Sequence, residues 1–442
     1  MPITMLYVNY LVFLSISYKQ KLSMKKILIT LLTLTLLVSC NKKGCTDPTA
    51  INYNENATKN DNTCTYEDIN NNVKKSGYIT ANETWTSDNI YELVGKVIIG
   101  DGVTLTIEAG TIIKGKEGSG TLASALIIAR GGNINAVGTP SNPIIFTSVL
   151  DNIEVGQLSG TNVGVTDDGL WGGVIILGYA PISAGNGDDI SQIEGIPVTD
   201  TYGAFGGNDP SDNSGTFQYV SIRHGGALIG AGNEINGLTL GGVGNGTSIS
   251  NIEVVANLDD GIEFFGGTVN VSDLIIGYQG DDGIDIDMNY AGTIDGFTVV
   301  NGSTSDETLE VDGPEGSTYT NGLFTLSNGN TYTFGGGSST ADFKSKAQGT
   351  INNVKMDGVK IRASYQNNCT QPKTDAFTYL TDASPRLIFT NCEVNSITVY
   401  TTTEFCGVSG VDQSAAEAEI TSTPVNHTQD VSWTWLNLSG NL

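Results

Sequence analysis

From about Ser76 onward, short apolar alternations are separated by glycine, asparagine and aspartate. Val97-Ile98-Ile99, Leu105-Thr106-Ile107, Thr111-Ile112-Ile113 and Leu126-Ile127-Ile128 each predict a short buried strand. No part of this region sustains a helical period. The middle of the chain repeats itself: Asp259-Asp260-Gly261-Ile262-Glu263 returns as Asp281-Asp282-Gly283-Ile284-Asp285, an offset of 22. The flanking apolar residues keep that step, Ile249 to Val271 and Ile252 to Leu274. The next turn comes at 23, with Val271 matching Ile294 and Leu274 matching Phe297. Thr293-Ile294-Asp295-Gly296-Phe297 then returns as Thr350-Ile351-Asn352-Asn353-Val354 after a longer excursion.

A step of 22 to 23 residues with short strands and Gly or Asn corners suits one coil of a solenoid. One coil cannot bury its own apolar face, whereas a stack of coils builds continuous ladders of Val, Ile and Leu. A β-sandwich does not require an offset held through consecutive units, and the Leu-x-x-Leu-x-Leu consensus of leucine-rich solenoids is missing. The predicted fold is therefore all-β, a right-handed parallel β-helix over residues 78–400 with N- and C-terminal caps. Open solenoid ends expose strand edges. Residues 78–95, with Trp85 and Tyr91, are expected to cover the first coil. Val431-Ser432-Trp433-Thr434-Trp435-Leu436, within a capping segment 401–442, is expected to cover the last. Sugar platforms are the alternative role for these aromatics.

Composition agrees with strands joined by turns. Thr, Asn, Ile, Val and Gly dominate beyond the first 40 positions. The 39% hydrophobic content argues against a disordered chain. A formal charge of −26 makes nucleic acid an unsuitable partner, because phosphate binding needs clustered Lys and Arg. An acidic surface attracts divalent cations instead.

Residues 1–39 read as a signal region whose better start is Met24. Lys25 and Lys26 give a positive n-region, and Ile27 to Val38 a short apolar one. Leu37-Val38-Ser39-Cys40 forms a bacterial lipobox, so Cys40 is the expected lipidation site and a membrane the expected partner through that anchor. The expected location is the cell envelope, as an outer-membrane lipoprotein, with the membrane face left open by Asn41-Lys42-Lys43. Residues 40–66 form the lipidated N-terminus and a small module that a Cys45–Cys64 disulfide would staple. Asp47 and Asp61 within it either make turns or ligate calcium. Residues 67–77, polar and Asn-rich, read as a linker. Late in the chain, Cys392 has two competing partners, Cys369 and Cys406.

The repeat has a chemical consequence. Asp259, Asp260 and Glu263 should lie one coil from Asp281, Asp282 and Asp285, with Asp287 added to the row. Asp306, Glu307, Glu310 and Asp312 are expected to continue it. Like charges about 5 Å apart repel unless neutralised. Calcium, proton sharing, or basic partners such as Lys344 and Lys346 would each serve, and part of the Asp-Gly content simply makes corners. These seven carboxylates, from Asp259 to Asp287, are the candidate metal or substrate ligands, with Ca2+ the candidate cofactor. His224, the sole histidine of the predicted solenoid, is either an acid–base group or a corner residue.

Several segments resemble a broad group of bacterial (Bacteroidetes-type) β-helix lipoproteins of pectate-lyase-like fold. They include Leu105-Thr106-Ile107-Glu108-Ala109-Gly110-Thr111, Pro143 to Ser148, Trp171-Gly172-Gly173-Val174-Ile175, Asn233 to Gly244 and Asp259 to Thr268. The Cys45–Cys64 stretch resembles a Cys-bounded module of extracellular flavobacterial proteins. The Asp259-Asp260-Gly261 and Asp281-Asp282-Gly283 runs are similar to the carboxylate motifs of polygalacturonases, which implies Asp260, Asp281 and Asp282 as catalytic groups. The Gly-His-Gly and Arg-Ile-Lys of those enzymes have no counterpart here. Pectate lyases pair calcium with an Arg or Lys base, and only Arg130, Arg223, Arg362 and Arg386 are available for that role. The expected function is therefore a lipid-anchored surface protein that binds a polysaccharide or serves adhesion or structure. A polysaccharide-degrading enzyme is the alternative.

Overall fold

The computed structural model describes residues 42–65, 72–230, 233–334, 340–366, 371–372, 374–400 and 413–442, with only the backbone of 365, 366, 371 and 372. Cys40, the signal region, Cys369 and Cys406 lie outside the described residues. The chain divides into two units, Met1–Asn70 and Asn71–Leu442.

In the first unit a Cys45–Cys64 disulfide joins positions 19 residues apart, and Lys43–Gly44 pairs in parallel with Lys59–Asn60. The Asp47 carboxylate accepts from the Thr49 amide and hydroxyl, and the Asp61 carboxylate from those of Thr63. Both aspartates thus close local Asx turns, which is the turn-making role.

The second unit is a parallel β-helix of three sheets, each built by stacking one segment per coil. Three apolar ladders point inward. In the first sheet Ile144, Val220, Ile252, Leu274, Phe297, Gly329 and Val354 are successive partners. In the second, Leu126, Val174, Leu238, Ile262, Ile284, Leu309, Ala341 and Val359 align. In the third, Ile107, Ala136, Phe217, Ile249, Val271, Ile294, Leu326, Ile351 and Phe389 align. Gly329 apart, these residues are buried in one core, and each Val, Leu, Ile or Phe among them contributes about 1.5–3 kcal/mol of apolar burial.

The pairs expected from the 22- and 23-residue steps are Cα partners here. One expectation needs correction. Thr293 and Thr350 are two coils apart, with Phe324–Thr333 between them. That coil escapes the pattern because Gly329 stands where Phe297 and Val354 flank it. The Phe297 ring fills the space, and a Cβ on Gly329 would come within 2.1 Å of it.

The bend from third to first sheet is made by one residue per coil in the left-handed region: Asn251 (φ 56°), Asp273 (57°), Gly296 (80°), Asn328 (57°) and Asn353 (56°). Asn, Asp and Gly tolerate that conformation best, which accounts for their recurrence in the sequence. A second such column contains His224, Ala256 and Tyr278 (φ 61°, 54° and 57°) and ends the first sheet.

Both ends differ from expectation. The strand Asn72–Ile79 pairs in parallel with Ile90–Ile99, so the helix begins inside the segment read as a linker. Trp85 and Tyr91 are stacked 4.8 Å apart within the core rather than laid over it. The outermost strand carries Lys74 and Lys75, and charge at an edge discourages pairing with another chain. At the other end, Ala376 and Leu380 of the helix Ala376–Thr381 join Ala416, of the helix Gln413–Glu419, and Ile420 in covering the core.

The tail then returns along the outer flank of the first sheet, where Trp433 packs edge-on against Tyr219 and Trp435 against His224. The flank needs cover because Val255, Ala256 and Ile275 are apolar and form a cluster with Trp435 and Leu436. Beneath the tail, Arg223 donates to Ser221 Oγ (2.7 Å) and Leu158 O (2.9 Å), and its guanidinium lies 4.0 Å from Glu253. The other oxygen of Glu253 accepts the Leu436 amide at 2.9 Å. Arg223 and Glu253 are fully buried. Replacing Glu253 by Ala strands the arginine without its partner and frees the tail. It should lower stability by about 3–5 kcal/mol, read as a shift in the denaturant midpoint; an unchanged midpoint would show that the tail is not fastened this way.

Candidate functional site

Strand alternation turns every second residue of the second sheet outward. Thr239, Glu263, Asp285, Glu310, Asp342 and Lys360 form that outward row, each the Cα partner of the next. The corner leading into this sheet adds a second acidic column. Asp260 Oδ1 accepts from the Asp282 amide (2.9 Å), and Asp282 Oδ1 accepts from the Glu307 amide (2.8 Å). One oxygen of each aspartate thus ties neighbouring coils together. The other is left for ligands.

Long connections close over the earlier part of this face. They enclose a cavity of about 410 Å³ lined by eight carboxylates: Glu194, Glu234, Asp259, Asp260, Glu263, Asp281, Asp287 and Glu315. Ile175, Ile193, Ile229, Ile235, Phe265 and Met288 supply its apolar wall. No Lys, Arg or His is among the described lining residues.

All of the seven predicted site residues but Asp287 fall, with Glu307 and Glu310, into three groups whose oxygens lie within 4.8 Å of one another. These are Asp259 with Asp260 and Asp281; Asp260 with Glu263 and Asp285; and Asp282 with Glu307 and Glu310. Asp285 and Asp282 belong to the groups but do not line the cavity. His224 lies elsewhere: it is buried, its Nδ1 sits 2.7 Å from Asp167 O, and it occupies a coil corner. Glu194, Glu234 and Glu315 were missed because they stand in the connections, where no period marks them. Asn236 falls within the segment Asn233 to Gly244, where nothing in the period marks it as a ligand. It occupies the corner position one coil before Asp260 and donates to Glu263.

Crowding of like charges raises these acids. Burial, then the charges of Asp281 and Glu234, push Asp259 up to about 6. Burial, then Asp281 and Glu307, push Asp282 up to about 8. Burial, then Asp312 and Glu315, push Asp287 up to about 7. Asp260, Glu263 and Asp285 are raised well above the usual range, again by burial first and by neighbouring carboxylates second.

Among the described residues, lysine ion pairs with these acids stand at the far end of the row, where Lys344 pairs with Glu310 and Lys360 with Glu307. The Lys344 charge also partly offsets the rise of Asp281, Asp282 and Asp287. Lys346 instead donates to Pro314 O at 2.9 Å. Asp285 Oδ1 and Asn236 Oδ1 are buried with no hydrogen-bond partner. All-oxygen donors of this spacing fit a hard divalent cation, since ligands at about 2.4 Å from one ion lie at most about 4.8 Å apart. The residues present therefore suit Ca2+, with Asp260, Glu263, Asp285 and Asn236 the ones that would hold it.

The model of a family described as a pectate-lyase-like β-helix domain matches residues 77–437. The chain belongs to that family. No curated protein and no solved structure matches it. The family match spans the helix, the acidic face and the tail as far as Asn437, so tail and coils are parts of one pectate-lyase-like domain.

The raised acids set a pH dependence. Between the ordinary carboxylate range near 4 and the folded values of about 6 to 8, the native state holds protons that the unfolded chain has released. Stability should therefore fall as pH rises through that window. In chelator, Tm should drop by roughly 5 °C or more between about pH 5 and about pH 8, and added calcium should restore it mainly at the higher pH. A flat profile that calcium leaves unmoved would remove both charge crowding and the metal.

Proposed function

We propose that this chain is a lipid-anchored β-helix of the cell envelope that binds a polysaccharide through calcium held in the acidic cavity. One observation carries the reading: a carboxylate-lined cavity beside two buried oxygens, on Asp285 and Asn236, that have no partner. Buried anions need a cation or protons. A calcium ion keeps open positions for sugar hydroxyls or a uronate, which this cavity would otherwise repel. The pectate-lyase-like fold supports a polysaccharide-related role. The anchor rests on Leu37-Val38-Ser39-Cys40 behind the apolar run of Met24 to Val38. Cys40→Ala should move the protein from the membrane to the soluble fraction, and a protein still membrane-bound would count against the anchor.

A second reading is favoured by the acids themselves. Burial, then Asp281 and Glu307, push Asp282 up to about 8, so it keeps a proton at neutral pH, as a general acid of glycoside hydrolysis does.

Both readings meet one experiment: affinity electrophoresis and reducing-end assays on neutral and uronate-containing polysaccharides, with calcium or with chelator. Retardation that needs calcium, weakens at least about tenfold in Glu263→Gln or Asp285→Asn, and releases no product is the expected result. Products that vanish in Asp260→Asn or Asp282→Asn would replace binding by catalysis. Retardation indifferent to chelator would detach the glycan from the metal.

A further inference from the structure

Beside the tail, at the corner between the first and second sheets, lies a second cavity of about 360 Å³ with a different chemistry. Two aromatic rings line it. Tyr278 stands in the left-handed corner column, and its hydroxyl donates to Asn441 O at 3.2 Å, so the C-terminal tail buttresses the ring. Gly302 leaves room for that ring: a Cβ there would come 2.9 Å from Tyr278 Cδ1. Phe334, 52% exposed, lies two residues beyond Tyr332, which stands two coils from Gly277 in register. The two rings therefore belong to coils about 10 Å apart along the stack, the length of a disaccharide.

Around the rings stand Asp168, Thr166, Ser303 and Thr304. Asp168 is half-buried, which raises its carboxyl, and no ion pair among the described residues reaches it. Hydroxyl groups, a lone carboxylate and exposed aromatic faces are what a sugar ring requires. Its C–H face packs on the aromatic, and its vicinal hydroxyls donate to the carboxylate. The carboxylate, with no Lys or Arg in the described lining, disfavours uronates. A single acid is too few for calcium.

We propose that this pocket is a calcium-independent subsite for one or two neutral sugar residues of a polysaccharide, stacked on Phe334 and Tyr278 and oriented by Asp168. It is separate from the acidic cavity, and it holds whether or not that cavity binds metal.

The test is affinity electrophoresis of the full chain in chelator, against galactomannan, xyloglucan and mixed-linkage β-glucan, with polygalacturonate alongside. At least one neutral polymer should retard the protein, and polygalacturonate should not. Phe334→Ala removes an exposed side chain, so the fold and Tm should be kept while retardation falls at least about tenfold. Asp168→Asn should weaken it as well, and calcium-dependent retardation should survive both changes. The subsite would be overturned by three results: no neutral polymer retarding the protein in chelator, polygalacturonate retarding it equally, or both variants binding like the native chain. Loss of calcium-dependent retardation in the native protein strikes the acidic cavity alone.

Discussion

Parallel stacking in register governs this molecule. Each coil places its residues about 4.8 Å from their equivalents above and below, so whatever one coil presents, the next presents again beside it. Inward, that repetition is favourable: Val, Ile, Leu and Phe meet their like and exclude water. Outward, the same rule is indifferent to charge. Where Asp259-Asp260-Gly261-Ile262-Glu263 is followed by a near copy of itself, carboxylates are forced together that no independent packing would choose. The core and the acidic site have one cause.

That cause also decides what could be read from the sequence. The parallel coil, its 22-residue step and the pairing of Glu263 with Asp285 follow from residues at fixed offsets, and a fixed offset is visible in a linear string. Gly329 hid one coil because its neighbour Phe297 supplies the missing bulk from a different coil. Glu194, Glu234 and Glu315 reach the cavity from irregular connections, where position depends on loop path rather than on period. Trp433 and Trp435 were placed at the open end, since exposed aromatics near a terminus suit a cap. They instead cover a flank whose apolar residues, Val255, Ala256 and Ile275, lie 158 to 180 residues earlier in the chain.

The tail shows a different kind of order from the coils. Its hold on the first sheet combines a buried ion pair, Arg223 with Glu253, with aromatic contacts to Tyr219 and His224 and hydrogen bonds of Gln429 and Asn441, each made to one particular coil. Nothing in the stack requires those partners to recur. The fold therefore combines a periodic body, in which any coil resembles its neighbours, with one aperiodic strap that identifies particular coils.

The tight column of left-handed corners leads to a last point. From residue 215 onward, each turn from third to first sheet spends one left-handed residue, Tyr219, Asn251, Asp273, Gly296, Asn328, Asn353 or Asn391, with no insertion. The other two corners are free to lengthen, and both border the second sheet. Along these coils variation in length is thus channelled to one side: the third-to-first corner stays constant while the opposite wall gains or loses loops. The acidic chamber lies on the sheet that these two variable corners border.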